Sequence, residues 1–350
     1  MKDMDLMFHR LDRRSFLKLS GLLGMSAAAT TLIPSAAEAV RFNKQTMMVS
    51  ERRLIMGTYV SMTLFHPVKD QAEEAMEQAF QEIDRLAGIL TRYDRSSAVA
   101  FLNKEGYARD LPPEVIRVVS RALHYHKLTY GAFDITVKPV VDLFRQKLGG
   151  DKKDRPTEQE LKALLKLVDA GKVGLHDRSI RFVESGMGIT LDGIAKGFIV
   201  DQASELLASR GVENHLIDAG GDIRTRGKKE GEKPWTVAVQ DPLKRSQYPD
   251  MVQMKDGAIA TSGNYEIYFD REKMFHHIVN PKTGLSPHLA SSVSVTARTA
   301  MEADALSTGV FVMGPGEGTE FINGLPSCEC LVISRNGSQS KSRGWKSAAI

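Results

Sequence analysis

Cysteine is nearly missing from this chain: Cys328 and Cys330 are the only two among 350 residues. One residue apart in the strand-like run that continues Leu331-Val332-Ile333, they share a face, with Cα atoms about 7 Å apart, too far for an unstrained bridge. The fold therefore does not lean on disulfides. Buried thiols are the expectation, with a pair of metal-binding thiolates as the alternative. Charge of one sign is also scarce. Forty-seven Lys and Arg against 43 Asp and Glu leave a net charge of +4, of which residues 1–39, with five basic and four acidic side chains, supply one. Nucleic-acid binding, which needs a basic stripe, is not expected. There is no internal repeat and no low-complexity linker, which excludes repeat arrays and disordered tails. What remains, 42% hydrophobic and 26% charged, is ordinary globular composition with room for one large domain or two lobes.

The N-terminus carries an address. Asp12-Arg13-Arg14-Ser15-Phe16-Leu17-Lys18 is a twin-arginine pattern. It precedes a weakly apolar run over 19–33 and a small-residue cleavage site, Ala37-Glu38-Ala39. The apolar run is broken by Gly and Ser and falls short of the roughly 20 residues of a membrane span. Residues 1–39 thus read as a Tat signal peptide cut before Val40, leaving 40–350 as a periplasmic domain with no stable membrane span. No cysteine near the cut suggests a lipid anchor.

Along the mature chain, alternation predicts a strand over 54–64, closed by Pro67. A helix follows over 70–93, where Ala75, Ala79, Ile83, Leu86 and Leu90 recur at three- and four-residue steps. Residues 91–97 form a polar loop whose Tyr93 suits ring stacking or core packing. Pro112-Pro113 opens a helix over 114–130 that Gly131 stops. Residues 131–139 read as extended, 147–155 as a charged surface excursion, and Thr157 with Glu160 as a capping box for a helix to 168. A hairpin spans 173–182. Further strands are predicted over 215–222, 235–239, 257–261, 265–269, 276–279 and 291–296, and helices over 194–210 and 300–313. Helices interleaved with hairpin-type strands argue for an α+β fold.

Four clusters could carry chemistry. Ile189-Thr190-Leu191-Asp192-Gly193-Ile194-Ala195-Lys196-Gly197 reads as a strand that stops at a glycine turn and becomes a helix. That corner aims N–H groups and a positive dipole end at an anion, with Lys196 adding charge, although a plain packing turn looks the same. Asp304 and Thr308, four residues apart on one helix face, offer a carboxylate and a hydroxyl suited to a hard cation such as Mg²⁺. The alternative is a dipole-favouring acid and a Thr bonded to its own helix. His277, ahead of the Asn280-Pro281 turn, is placed to act as acid or base or to be a structural histidine. Gly220-Gly221-Asp222 lets backbone approach a ligand closely.

In order, Met56-Gly57-Thr58, Tyr93-Asp94 with Ser96-Ser97, Gly131-Ala132-Phe133-Asp134, Asp192 to Gly197, Ala219 to Asp222, Thr261-Ser262-Gly263, His277-Ile278 with Thr283-Gly284, and Ala303-Asp304 with Ser307-Thr308 resemble the ApbE family, the FAD:protein FMN transferases. The likeness covers nearly the whole mature chain. It implies an ApbE-like, two-lobed α+β fold that binds FAD between its lobes with Mg²⁺. Flavin contacts are implied at Met56, Tyr93, Ala132, Phe133, Asp134, Lys196 and Ile278, and metal contacts at the Gly193 carbonyl, Asp304 and Thr308. Two positions depart from the family pattern. Thr190 stands where many members carry an acid, so either Thr190 or Asp192 meets the nucleotide, and Asn264 stands where Asp is common.

The activity this implies is Mg²⁺-dependent transfer of FMN from FAD to a Ser or Thr hydroxyl of an exported acceptor protein, releasing AMP. Lys196 would hold a phosphate oxygen and His277 would take the hydroxyl proton, being the motif residue whose ordinary pKa suits the task, with Asp222 in reserve. Two rivals remain: a Mg²⁺-dependent FAD pyrophosphatase, which would use the same residues, and a non-catalytic periplasmic FAD carrier, which would need neither the Asp304–Thr308 pair nor His277.

Overall fold

The computed structural model describes residues 38–41, 46–148, 154–229, 233–243, 248–264 and 276–348. Residues 1–37 of the signal peptide expected over 1–39, the middle of the charged excursion and the strand expected over 265–269 lie outside the described residues.

Three strands open the chain as antiparallel neighbours: β1 (Glu38–Arg41), β2 (Met47–Ile55) and β3 (Thr58–His66). A helical insertion follows, with α1 (Lys69–Leu90), α2 (Ala98–Glu105), the short β4 (Tyr107–Ala108), α3 (Pro113–Leu128), α4 (Lys138–Leu148) and α5 (Glu158–Leu165). Its hairpin, β5 (Val173–His176) and β6 (Ser179–Phe182), pairs with β4 in the order β4-β6-β5. Helix α6 (Ala195–Ser209) leads back to β7 (Asn214–Ala219) and β8 (Asp222–Arg226). β9 (Trp235–Ala238) and β10 (Met251–Met254) form a separate pair before β11 (Gly257–Gly263) and β12 (Ala290–Ala297). Helices α7 (Ala300–Met313) and α8 (Pro315–Asn323) intervene before β13 (Glu329–Ser334) and β14 (Gln339–Lys341). The main sheet runs β1-β2-β3-β7-β8-β11-β12-β13-β14. Its spatial order never reverses the chain order, so it is one antiparallel meander interrupted by three insertions.

Alternation explains how the sheet is covered. On β13, Cys330 and Val332 join the large core beneath the helices, whereas Leu331 and Ile333 join a second cluster with Val237, Val252 and Trp345. Helices thus cover one face and the β9–β10 pair covers the other. The large core continues from β3 (Val60, Met62, Leu64) through α1 (Phe80, Ile83) to α6 (Phe198) and α7 (Phe311). Each such side chain contributes about 1.5–3 kcal/mol by leaving water. Every apolar residue expected to face inward on the first helix is buried. The predicted capping box of α5 is complete in both halves.

Several local expectations are corrected. The strand expected over 54–64 is two strands folded back at Met56-Gly57. Residues 131–139 are not extended: a turn leads into α4, with Pro139 in the first helical turn, where a missing N–H costs nothing. Residues 189–191 belong to no sheet. The Asn103 side-chain amide bonds both the N–H and the C=O of Ile189, and the Thr190 N–H donates to the Ile135 carbonyl. Of the strand expected over 276–279, only a bridge at His276 forms. Cys328 and Cys330 are free and buried, and burial pushes their thiols up to about 12 and about 11. No helix among the described residues is long and apolar enough to cross a membrane.

Candidate functional site

Two hairpin turns stand side by side at one end of the sheet. Met56-Gly57 joins β2 to β3, and Gly220-Gly221 joins β7 to β8, each closed by a strand pair, Ile55 with Thr58 and Ala219 with Asp222. All four turn residues have positive φ, 57°, 71°, 66° and 100° in chain order, the pattern of a two-residue type I′ hairpin. Glycine occupies three of these positions. Met56 occupies the fourth against the preference of a side chain, strain of the kind that collects at functional sites. Because β3 and β7 are paired neighbours, the turns form one continuous wall.

That wall bounds a cavity of about 1210 Å³. The insertion supplies Tyr93, Ala132, Phe133 and Asp134 and the corner Thr190, Asp192, Gly193 and Lys196. Helix α7 supplies Asp304 and Thr308, and the segment before the Asn280 turn supplies His277 and Ile278. With Met56 and Asp222, every site residue singled out from the sequence lines this one space.

The inner corner is built from buried groups. Lys196, in the first turn of α6, places Nζ 3.2 Å from Asp222 Oδ2. Burial pushes the Asp222 carboxyl above its ordinary range, and the Lys196 charge pulls it back. Asp218 is also pushed up by burial, against a hydrogen bond from the Gly221 N–H. Asp304 is 4% exposed and accepts from the Gly197 N–H at 3.1 Å. One turn on, Thr308 Oγ1 lies 3.2 Å from Ser262 Oγ. A Cβ on Gly193 would sit 2.8 Å from Thr308 Oγ1, so glycine is what lets this backbone lie against α7. A carboxylate, a hydroxyl and a turn backbone are thereby gathered, an all-oxygen set that fits a hard cation.

The mouth is built from side-chain ion pairs. The buried Arg92 guanidinium donates to Asp142 at 2.7 Å and to Asp192 at 3.3 Å. Tyr93 Oη donates to Asp192 Oδ2 at 3.2 Å and accepts from Arg145 at 3.1 Å. The Arg92 and Arg145 guanidiniums lie 4.6 and 4.9 Å from the Tyr93 ring centre. Thr190 and Asp192 are thus set apart. Thr190 is buried with Oγ1 accepting the Asp192 N–H at 3.3 Å, whereas the Asp192 carboxylate faces the mouth. Asp134 braces its own loop, accepting from the Thr136 N–H at 2.7 Å and the Ala170 N–H at 3.1 Å. A hydrogen bond to Asp134, 3.1 Å away, and then its charge raise the pKa of His126 against burial. Half-buried His277 stands beside His276, which is fixed through the Pro287 carbonyl at 2.9 Å.

Arg92, Arg145, Asp218 and Ser262 also line the cavity. Sequence reasoning gave none of them a role. Arg92 is next to Tyr93 and Asp218 is two residues before the paired glycines, so adjacency to a motif was the available signal. Arg145 had none, because its helix was not foreseen.

A mixed sheet-and-helix fold with one cavity larger than the about 300–1,000 Å³ of most ligand pockets, walled by a lysine–aspartate pair and hydroxyls, defines an α+β protein built for a large polar ligand. A family model described as the ApbE family matches residues 56–332. A FAD:protein FMN transferase of Haemophilus influenzae is 30% identical over 316 residues, covering 85% of this chain and 88% of the relative. One of Treponema pallidum is 30% identical over 309 residues, covering 81% and 84%. Among solved structures, an ApbE protein of Thermotoga maritima superposes with a TM-score of 0.77 at 29% identity, covering 85% of this chain and 97% of its own. The flavin transferase ApbE of Vibrio cholerae gives 0.71 at 25%, covering 88% and 98%. The chain belongs to the ApbE family, and it is a transferase.

Proposed function

We propose that the protein transfers the FMN half of FAD to a Ser or Thr hydroxyl of an exported acceptor protein, with Mg²⁺, releasing AMP. The observation that carries this reading is the convergence of Lys196, Asp222, His277, Asp304 and Thr308 on one nucleotide-sized cavity. The names of the relatives support it.

The acceptor oxygen attacks the flavin-side phosphorus, a new P–O bond forms, and the bond to the bridging oxygen breaks, so that AMP leaves with that oxygen. His277 takes the hydroxyl proton, with Asp222 second in line. Lys196, already turned toward an anion in Asp222, holds a phosphate oxygen. Asp304, Thr308 and the Gly193 carbonyl would hold Mg²⁺, which supplies positive charge against the charge developing on the pyrophosphate. The twin-arginine leader supports export to the periplasm, where the acceptor would be met.

The purified mature protein, incubated with FAD, Mg²⁺ and a flavin-acceptor domain, is expected to leave fluorescent flavin covalently on the acceptor and AMP in solution. Free FMN with AMP and no labelled acceptor would make it a pyrophosphatase, and bound FAD with no AMP a carrier. In His277→Ala, transfer is expected to fall about 10²–10⁴-fold; full transfer would remove the base assignment.

A further inference from the structure

We infer that Asp201 is the positioning residue of the Asp304–Thr308 corner, acting through a reciprocal cap between α6 and α7. The first N–H groups of a helix have no partner inside it. Here each helix borrows an acid from the other. Asp304, on the second turn of α7, accepts the Gly197 N–H of α6 at 3.1 Å. Asp201, on the second turn of α6, accepts the Ala300 and Met301 N–H groups of α7, both at 2.9 Å. The helices can exchange these bonds because their backbones touch: a Cβ on Gly197 would run into the Ala300 carbonyl.

Helix α7 already has a local cap, Thr299, whose Oγ1 accepts the Glu302 N–H. Asp201 is therefore not needed to start the helix. What it adds is a link that fixes α7 against α6, and with it Asp304 and Thr308 against Gly193 and Lys196. A carboxylate is costly to bury without partners, and Asp201 is 8% exposed, with Arg224 Nε 3.6 Å from Oδ1, the oxygen that also accepts the Ala300 N–H. It does not line the cavity, so it acts only through the ligands it positions.

The inference rests on the reading of Asp304 and Thr308 as Mg²⁺ holders. Mg²⁺ alone is titrated into the FAD-free mature protein while its thermal midpoint is followed, for the wild type, Asp201→Asn and Thr299→Ala. Loss of a group that orients a metal ligand costs about 10–100-fold in affinity, so half-saturation is expected to rise by about tenfold or more in Asp201→Asn and to stay within about twofold in Thr299→Ala. A lowered midpoint with unchanged half-saturation in Asp201→Asn would make Asp201 merely structural and overturn the inference, as would an equal rise in Thr299→Ala. If Asp201→Asn does not fold, Arg224→Gln is expected to shift half-saturation the same way by a smaller factor, and no shift there overturns it. No Mg²⁺ response in the wild type overturns the inference together with its premise. A wild-type response without FMN transfer overturns the transferase reading and leaves this one standing.

Discussion

The two ends of the cavity are held by different means. At the inner corner, buried carboxylates bond helix backbone, Asp304 to Gly197 and Asp201 to Ala300 and Met301. At the mouth, Arg92 bonds Asp142 and Asp192, and a Tyr93 that is 57% exposed bonds Asp192 and Arg145. The Arg92 guanidinium is buried, but its partners Asp142 and Asp192 and the Tyr93–Arg145 contact reach solvent, where ion pairs contribute about 0–1 kcal/mol each and are screened by salt. Stripping a buried polar group of its partner costs about 1–3 kcal/mol. The contrast predicts a corner that holds its geometry without ligand and a mouth that yields more readily.

The strongest way to break this contrast is to mutate one residue from each end. Asp304→Ala is expected to lower kcat/KM for flavin transfer about 10²–10³-fold, the scale of losing a preorganised electrostatic group, in steady-state assays beside Tyr93→Phe. Comparable losses in both would dissolve the distinction.

A second test sharpens the rigid side by pH. His215, fully buried at the far end of α6, bonds Ser204 Oγ at 2.7 Å and the Val212 carbonyl at 2.8 Å, and burial lowers its pKa to about 4. The unfolded chain takes up this proton near pH 6.5 and the folded one only near pH 4. The stability contributed is thus fully present above pH 6.5 and is lost as pH falls through 4, by about 3 kcal/mol in all. Urea denaturation at neutral and acid pH should show this decline, and His215→Gln should lessen it; identical profiles would refute the assignment.

The smallest effect is expected at the mouth. Tyr93→Phe should change folding stability by under about 1 kcal/mol. The KM for FAD should depend on salt in the wild type and less so in Arg145→Gln. A salt-independent KM in the wild type would mean that the mouth is as fixed as the corner.

The site was more legible in the sequence than the fold that delivers it. Asp192 to Gly197, Gly220 to Asp222 and Asp304 with Thr308 announce themselves because few residue types can turn a backbone, approach a phosphate or bind a cation. Local structure was misread where one residue has two uses. Pro139 closes a stretch over 131–139 that looked extended, yet it sits in the first turn of a helix. The loop over 91–97 is as expected, but the helix that Ser97 caps, α2, was not foreseen. Residues 189–191 have strand composition, but their hydrogen bonds go to Asn103 and Ile135, partners fixed only by tertiary folding. The mouth network was illegible for the same reason, since Arg92 meets Asp192 across one hundred positions.

The ends of the nine-stranded sheet differ in how they resist growth. β14 is three residues long and closes with Lys341, whose Nζ lies 2.7 Å from Asp250, a short, charged border that discourages further pairing. At the other border, β1 covers β2 through four residue pairs, from Glu38 with Ser50 to Arg41 with Met47. If the leader expected from the sequence were cut before Val40, Glu38 and Ala39 would go, and Ser50 and Val49 would keep only their β3 partners Thr63 and Leu64. Such a cut would uncover a stretch of strand that the uncut chain keeps shielded, and would be the step at which self-association has to be guarded against.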